Sequence, residues 1–167
     1  LIAVIQEVAA SPRFLLGSCL GMQLLMTESE EFGLQQGLGI IEGRVVKFKQ
    51  PKKGDQALKV PHIGWNAIHR VPSAAGADPW TRTILAGLAD GETMYFVHSY
   101  IVQPQNPRVT LSTSTYGEAP FCSALQHGNV FACQFHPERS GPRGLAVYHN
   151  LATWLSADNH EERSESI

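Results

Sequence analysis

Apolar and polar positions follow two rhythms along this chain, one helical and one alternating. Leu1 to Ala10 carries apolar residues at helical spacing, and Ser11-Pro12 ends that pattern, so a helix is expected from the first residues. Phe14-Leu15-Leu16 is a short apolar run of the kind that forms a buried strand. Gly17-Ser18-Cys19-Leu20-Gly21 follows it. Met22 to Met26 then resumes helical spacing, which predicts a helix ending in the acidic run Glu28-Ser29-Glu30-Glu31. Gly33 to Gly43 is punctuated by glycine, and Gly43 to Phe48 alternates like a strand with one wet face. Gln50 to Asp55 reads as a surface loop with two solvated lysines. Lys59 to Val71 reads as a strand pair, or as one strand with a turn at Ile63-Gly64. The loop from Pro72 to Pro79 is expected to be mobile. Thr93 to Val102 is the strongest strand pattern. Val109 to Tyr116, Pro120 to Leu125 and Val130 to Phe135 follow as further strands, and a last helix spans Gly144 to Trp154. That helix places Leu145, Tyr148, Leu151, Ala152 and Leu155 on one face, and the polar tail from Ser156 is expected to fray. The pattern predicts an α/β fold, a parallel core with a partly antiparallel flank.

Bulk properties narrow this picture. With 167 residues the chain fits one domain able to bury a sizeable core, and neither repeats nor a dividing linker interrupt it. Formal net charge is -2 and no basic run occurs, which argues against a nucleic-acid or anionic-membrane partner. No apolar stretch has the length of a membrane span or the form of a signal peptide. Cys19, Cys122 and Cys133 are an odd number without metal-type pairing, which suggests a reduced, cytoplasmic protein. The seven histidines are scattered, and neither a metal nor a cofactor is expected.

Chemistry enters at Cys19. A cysteine bracketed by Gly17 and Gly21 between a strand and a helix is the thiol form of a nucleophile elbow. The tight turn asks for small residues at both glycines, and the following helix should favour the thiolate. Read alone, the same cysteine fits an inert core thiol equally well. Far down the chain, Val130 to Phe135 leads to His136-Pro137-Glu138. A thiol nucleophile needs a base and a group to orient that base. An extended segment turns residues i and i+2 to one side, so Glu138 is expected to reach His136.

These residues together resemble the class I (triad) glutamine amidotransferases. Lys59-Val60-Pro61-His62-Ile63-Gly64-Trp65-Asn66 and Tyr95-Phe96-Val97-His98-Ser99-Tyr100 look like the glutaminase subunit of imidazole glycerol phosphate synthase, and the resemblance runs from about Leu15 to Leu155. It implies a flavodoxin-like mixed sheet flanked by helices and hydrolysis of L-glutamine to glutamate and ammonia. Cys19 would be the nucleophile, His136 the base and Glu138 its orienting carboxylate. It further implies that the Leu20 amide is an oxyanion donor and that Gln23, Glu31, Ser99 and Tyr100 hold the substrate. Trp65, Asn66, Tyr95 and Arg139 would face a (β/α)₈-barrel cyclase, with arginine at 139 where lysine is common in the family. By itself, Trp65 reads as a core or half-buried aromatic, and His98 as a core histidine with a satisfied hydrogen bond.

Family members carry strands and helices ahead of the first helix seen here. We therefore expect the N-terminal part to be missing, at least one βαβ unit of about 30 residues. In the family that region supplies a second oxyanion donor, whose loss costs about 10²–10³ in kcat, so low activity is expected. Two other readings stay open: another class I amidotransferase or γ-glutamyl hydrolase, and a non-catalytic fragment that keeps only partner-binding surface. A papain-like protease is disfavoured, because its histidine is not followed by a carboxylate two residues on.

Overall fold

The computed structural model describes residues 1–49, 51–72 and 78–164, with side chains as far as Ser156. Most of the loop expected to be mobile, residues 73–77, lies outside the described residues, as does Gln50. Helix α1 (Ile2–Ala10) leads into strand β1 (Leu15–Ser18) and the five-residue helix α2 (Leu20–Leu24). The short strands β2 (Met26–Ser29) and β3 (Gln35–Gln36) precede β4 (Ile41–Lys47). A small hairpin of β5 (Lys52–Lys53) and β6 (Gln56–Ala57) stands where a loop was expected, with both lysines exposed. Then come β7 (His62–Arg70), β8 (Glu92–His98), β9 (Tyr100–Pro104), β10 (Thr110–Tyr116), β11 (Ala119–His127) and β12 (Val130–Cys133). Helix α3 (Gly141–Ser164) closes the described chain.

Six strands form one sheet in the order β1-β12-β11-β10-β7-β8, and β3-β2-β4-β9 form a second. The sheet is mixed, as expected, yet only β1–β12 and β2–β4 pair in parallel among the described strands. Among the described strands the anticipated parallel core is thus two ladders, with β1 at one end of its sheet. Side-chain alternation places the two faces of β12 in different cores. Phe131 and Cys133 join Phe96, Phe121, Phe135 and Val147 in one cluster. Val130 and Ala132 join Met22, Met26, Val45 and Leu125 in the other. In β4, buried Ile41, Gly43 and Val45 alternate with exposed Glu42 and Arg44.

Several elements depart from the sequence reading, each for a non-local reason. Helix α2 stops at Leu24 instead of running to the acidic residues. The carbonyls of Leu24, Leu25, Met26 and Thr27 accept hydrogen bonds from backbone N–H groups of residues 37–41, so no further helical turn can use them. Glu28 therefore sits in a strand and pairs with Arg44 at 2.7 Å, an exposed contact worth at most about 1 kcal/mol. Residues Lys59 to Val71 make no turn at Ile63-Gly64, because β7 keeps register with β8 from His62 opposite His98 to Ile68 opposite Glu92. The long strand expected over 93–102 is two strands. At Ser99, whose carbonyl accepts from the Phe48 N–H (2.9 Å), the chain leaves β7 and joins β4 in the other sheet.

Helix α3 begins three residues before its expected start and continues through Ser164. Its inward side carries Gly144, Val147, Leu151 and Trp154, the last packed edge-on against Phe14, while Leu145, Ala152 and Leu155 are exposed. Gly144 sets this rotation. A Cβ there would run into the carbonyl oxygen of Pro137 and lie 2.6 Å from Ser140 Cβ, so the helix approaches on its bare side. Gly144→Ala is expected to cost about 2 kcal/mol. The check is a lower urea midpoint at unchanged slope.

Candidate active site

The Cys19 turn forms as the glycine pattern implied, with one difference. Cys19 has φ 49°, a left-handed backbone that non-glycine residues seldom adopt, and it caps α2. Its N–H donates to the Cys133 carbonyl (2.8 Å), which ties the turn to the end of β12. A Cβ at Gly17 would stand 2.9 Å from the backbone carbon of Gly21, so Gly17 must be bare. A Cβ at Gly21 would meet open space, so the requirement is one-sided.

The thiol lies in a cleft of about 330 Å³ that Leu20, Gln23, Glu31, Ser99 and Tyr100 also line. Six residues expected at the substrate site are therefore together. Cys19 Sγ approaches the Val97 carbonyl and the Gln134 side-chain nitrogen, each at 3.7 Å. Burial lifts the thiol above its ordinary pKa, outweighing the lowering by the Leu20 and Gln134 amides, and the charges of Glu138 and Glu31 raise it further. The thiolate expected from the helix dipole is thus overruled by desolvation, and α2 has only five residues.

His136 and Glu138 meet as expected, His136 Nδ1 lying 2.7 Å from Glu138 Oε1. The route differs: His136 is extended, but Pro137–Arg139 is a 3₁₀ turn that curls Glu138 back to the ring. The Tyr148 hydroxyl donates to the other Glu138 oxygen at 3.5 Å. His136 N–H donates to the Tyr95 carbonyl (2.9 Å) and Ser140 Oγ donates to the His136 carbonyl (2.6 Å), so the residue is fixed at both ends. Its Nε2 is buried without a hydrogen-bond partner among the described residues. A ring that gives its Nδ1 proton to a carboxylate keeps a lone pair on Nε2.

One further residue, Gln134, was invisible to the sequence reading, and Gln23, expected to hold substrate, turns toward it. Gln134 is fully buried and touches the sulfur, and Gln23 turns inward to donate to Tyr100 O (3.1 Å) and Gln134 Oε1 (3.4 Å). A long amide inside the apolar run Val130–Phe135 was the available signal, since a buried amide must find partners. His98 is buried as expected and pairs with Tyr100 O (2.9 Å) and His62 (3.0 Å). Burial lowers both histidines to about 4. Between pH 6.5 and 4 the unfolded chain binds protons that the folded chain refuses, so stability should fall as pH drops through that window. Melting temperatures from pH 7 to 4 check this, and His62→Gln should flatten the slope.

On the outer face, Trp65 is 59% exposed and meets Tyr95 edge-on, with the Arg139 guanidinium 4.7 Å above the Tyr95 ring. The half-buried position that Trp65 suggests in isolation is not what it adopts. Asn66 is occupied internally, donating to Thr115 O and accepting from the Ala67 N–H. Among the described residues no group of three or more His, Cys, Asp or Glu is placed to hold a metal, and no helix is long and apolar enough to cross a membrane.

The pattern described as glutamine amidotransferase class-I matches residues 1–152. The chain belongs to this family. Among related amidotransferase sequences, the imidazole glycerol phosphate synthase subunit HisH of Syntrophotalea carbinolica is 49% identical over 142 residues, covering 84% of this chain and 65% of that protein. The HisH subunit of Geobacter sulfurreducens is 44% identical over 150 residues, covering 88% and 66%. The chain thus spans just under two thirds of the length of these relatives. The crystal structure of an amidotransferase from Thermotoga maritima aligns over 99% of this chain and 55% of its own, with TM-score 0.55 and 20% identity. A further amidotransferase structure aligns over 87% and 63%, with TM-score 0.56 and 20% identity. Both share the amidotransferase fold.

Proposed function

We propose that this chain hydrolyses L-glutamine to glutamate and ammonia as the glutaminase part of an imidazole glycerol phosphate synthase in histidine biosynthesis. The observation that carries the reading is His136: its Nδ1 is held by Glu138, its Nε2 is buried and unpartnered among the described residues, and it follows three residues after Cys133, whose carbonyl accepts from the Cys19 N–H. Cys19 Sγ attacks the side-chain carbonyl carbon of glutamine, and its proton passes to His136 Nε2. The oxyanion takes the Leu20 N–H. His136 then protonates the departing ammonia, and water attacks the thioester to release glutamate and free the thiol. Sγ and Nε2 share no hydrogen bond among the described residues, and in this reading the contact forms as substrate binds.

Glu31, in the cleft, suits the α-ammonium of the substrate. The backbone at Ser99 and Tyr100 suits its carboxylate. Gln23 serves from behind, because its amide donors already point inward. Trp65, Tyr95 and Arg139 are the surface we assign to a (β/α)₈-barrel cyclase that takes the ammonia, with Asn66 stiffening the strand under it. We take the setting to be cytoplasmic, where three free thiols are at home.

The test is ammonia and glutamate release from glutamine, by the chain alone and with a barrel cyclase and its nucleotide ligand. Release that rises on adding the cyclase supports both substrate and partner. A folded chain that binds the cyclase and leaves glutamine intact would overturn the hydrolytic reading.

A further inference from the structure

We propose that Gln134 is a positioning residue for Cys19, a buried amide whose orientation is set by Gln23 so that its N–H holds the sulfur. This inference rests on the reading of Cys19 as the nucleophile. The Tyr100 carbonyl can only accept, so the Gln23 nitrogen lying 3.1 Å from it must donate. The same nitrogen faces Gln134 at 3.4 Å, and a donor there requires the Gln134 oxygen. The Gln134 amide is thereby turned with its nitrogen toward Cys19 Sγ, 3.7 Å away. Gln134 has no exposed surface, so water cannot replace either contact, and its own N–H is anchored on Ser123 O at 2.9 Å.

The direction of the chain matters chemically. An N–H aimed at sulfur favours the thiolate, whereas a carbonyl there would favour the thiol. The other charged or titratable groups around Cys19 are Glu138 and His136 beyond β12, Glu31 after β2, His98 of β8 and buried Cys133. Both glutamates oppose ionisation. The Gln134 donor and the Leu20 amide act against that opposition. The relay also links the Tyr100 backbone, which lines the cleft, to the attacking atom through two amides.

Cys19 alkylation by iodoacetamide across pH tests this in the full chain without glutamine, so it reads the thiol even if no hydrolysis occurs. Cys19→Ser supplies the background. Gln134→Leu, similar in size but without the donor, should move the alkylation midpoint up by about one pH unit, roughly tenfold in thiolate at a fixed pH below it. An amide that only fills space would lower the melting temperature and leave the midpoint unmoved, and that result would overturn the proposal. A measurement on the unsubstituted chain guards against a variant that does not fold. The Gln134 side-chain amide resonance, in a chain labelled at glutamine, should titrate with the Cys19 midpoint and lose that titration in Cys19→Ser. A resonance indifferent to Cys19 ionisation would equally overturn it.

Discussion

Replacing Cys19 by alanine is expected to lower glutamine hydrolysis by about 10⁴-fold or more, to the level of background. In sites where nucleophile and base act as a unit, loss of the nucleophile removes nearly all the acceleration the unit provides. Any residual acceleration would come from substrate binding and the proposed Leu20 amide contact. The substitution should cost little stability, because Cys19 is only partly buried and its backbone contacts, including the N–H to Cys133 O, stay in place. Ammonia release measures the rate. A second readout identifies the atom: an electrophilic glutamine analogue should add its mass to the Cys19 peptide and leave Cys122 and Cys133 untouched, since both are buried. Cys122 is held at about 12 by its surroundings, which keeps it a thiol at working pH. Hydrolysis that survived in Cys19→Ala would place the chemistry elsewhere.

The largest loss of stability is expected at Phe96. This side chain has no exposed surface and its ring lies 5.3–5.8 Å from those of His62, His98, Phe121 and Phe135. Phe96→Ala removes a ring from the middle of that group, and such truncations typically cost about 3–5 kcal/mol. In a domain of this size that lowers the melting temperature by roughly 10 °C. The damage should reach the site, because Phe135, whose carbonyl accepts from Ser18 Oγ at 3.4 Å, packs directly on Phe96. Phe14, packed against the outer helix through Trp154, should cost visibly less when cut to alanine. Equal losses at Phe14 and Phe96 would contradict the aromatic cluster as the main core.

Local chemistry was the legible part of this chain. The turn at Cys19 and the pairing of His136 with Glu138 involve neighbours in sequence, and the residue types alone imply them. The faces of β12 and β4 were legible too, since alternation reports burial directly. What escaped depends on distant backbone. The length of α2 is decided by N–H groups of residues 37–41, and the break at Ser99 by its carbonyl meeting Phe48. The rotation of α3 is decided by how near Gly144 comes to Pro137. Gln134 was lost inside an apolar run whose hydrophobicity spoke louder than its one amide. Charge and helix direction suggested a ready thiolate at Cys19, and only packing revealed the burial that opposes it.

The parallel ladder between β1 and β12 has a consequence for motion. Four residue pairs, from Leu15 with Val130 to Ser18 with Cys133, make up the whole of it, and β1 has no second neighbour among the described strands. Cys19 leaves the end of one rail and His136 follows three residues past the end of the other. A single opening of this short zipper would part sulfur and imidazole together while the aromatic cluster stayed closed. Amide hydrogen exchange in β1 of the chain as given would clock that opening, and exchange as slow as at Phe96 would show that the ladder opens only with the core.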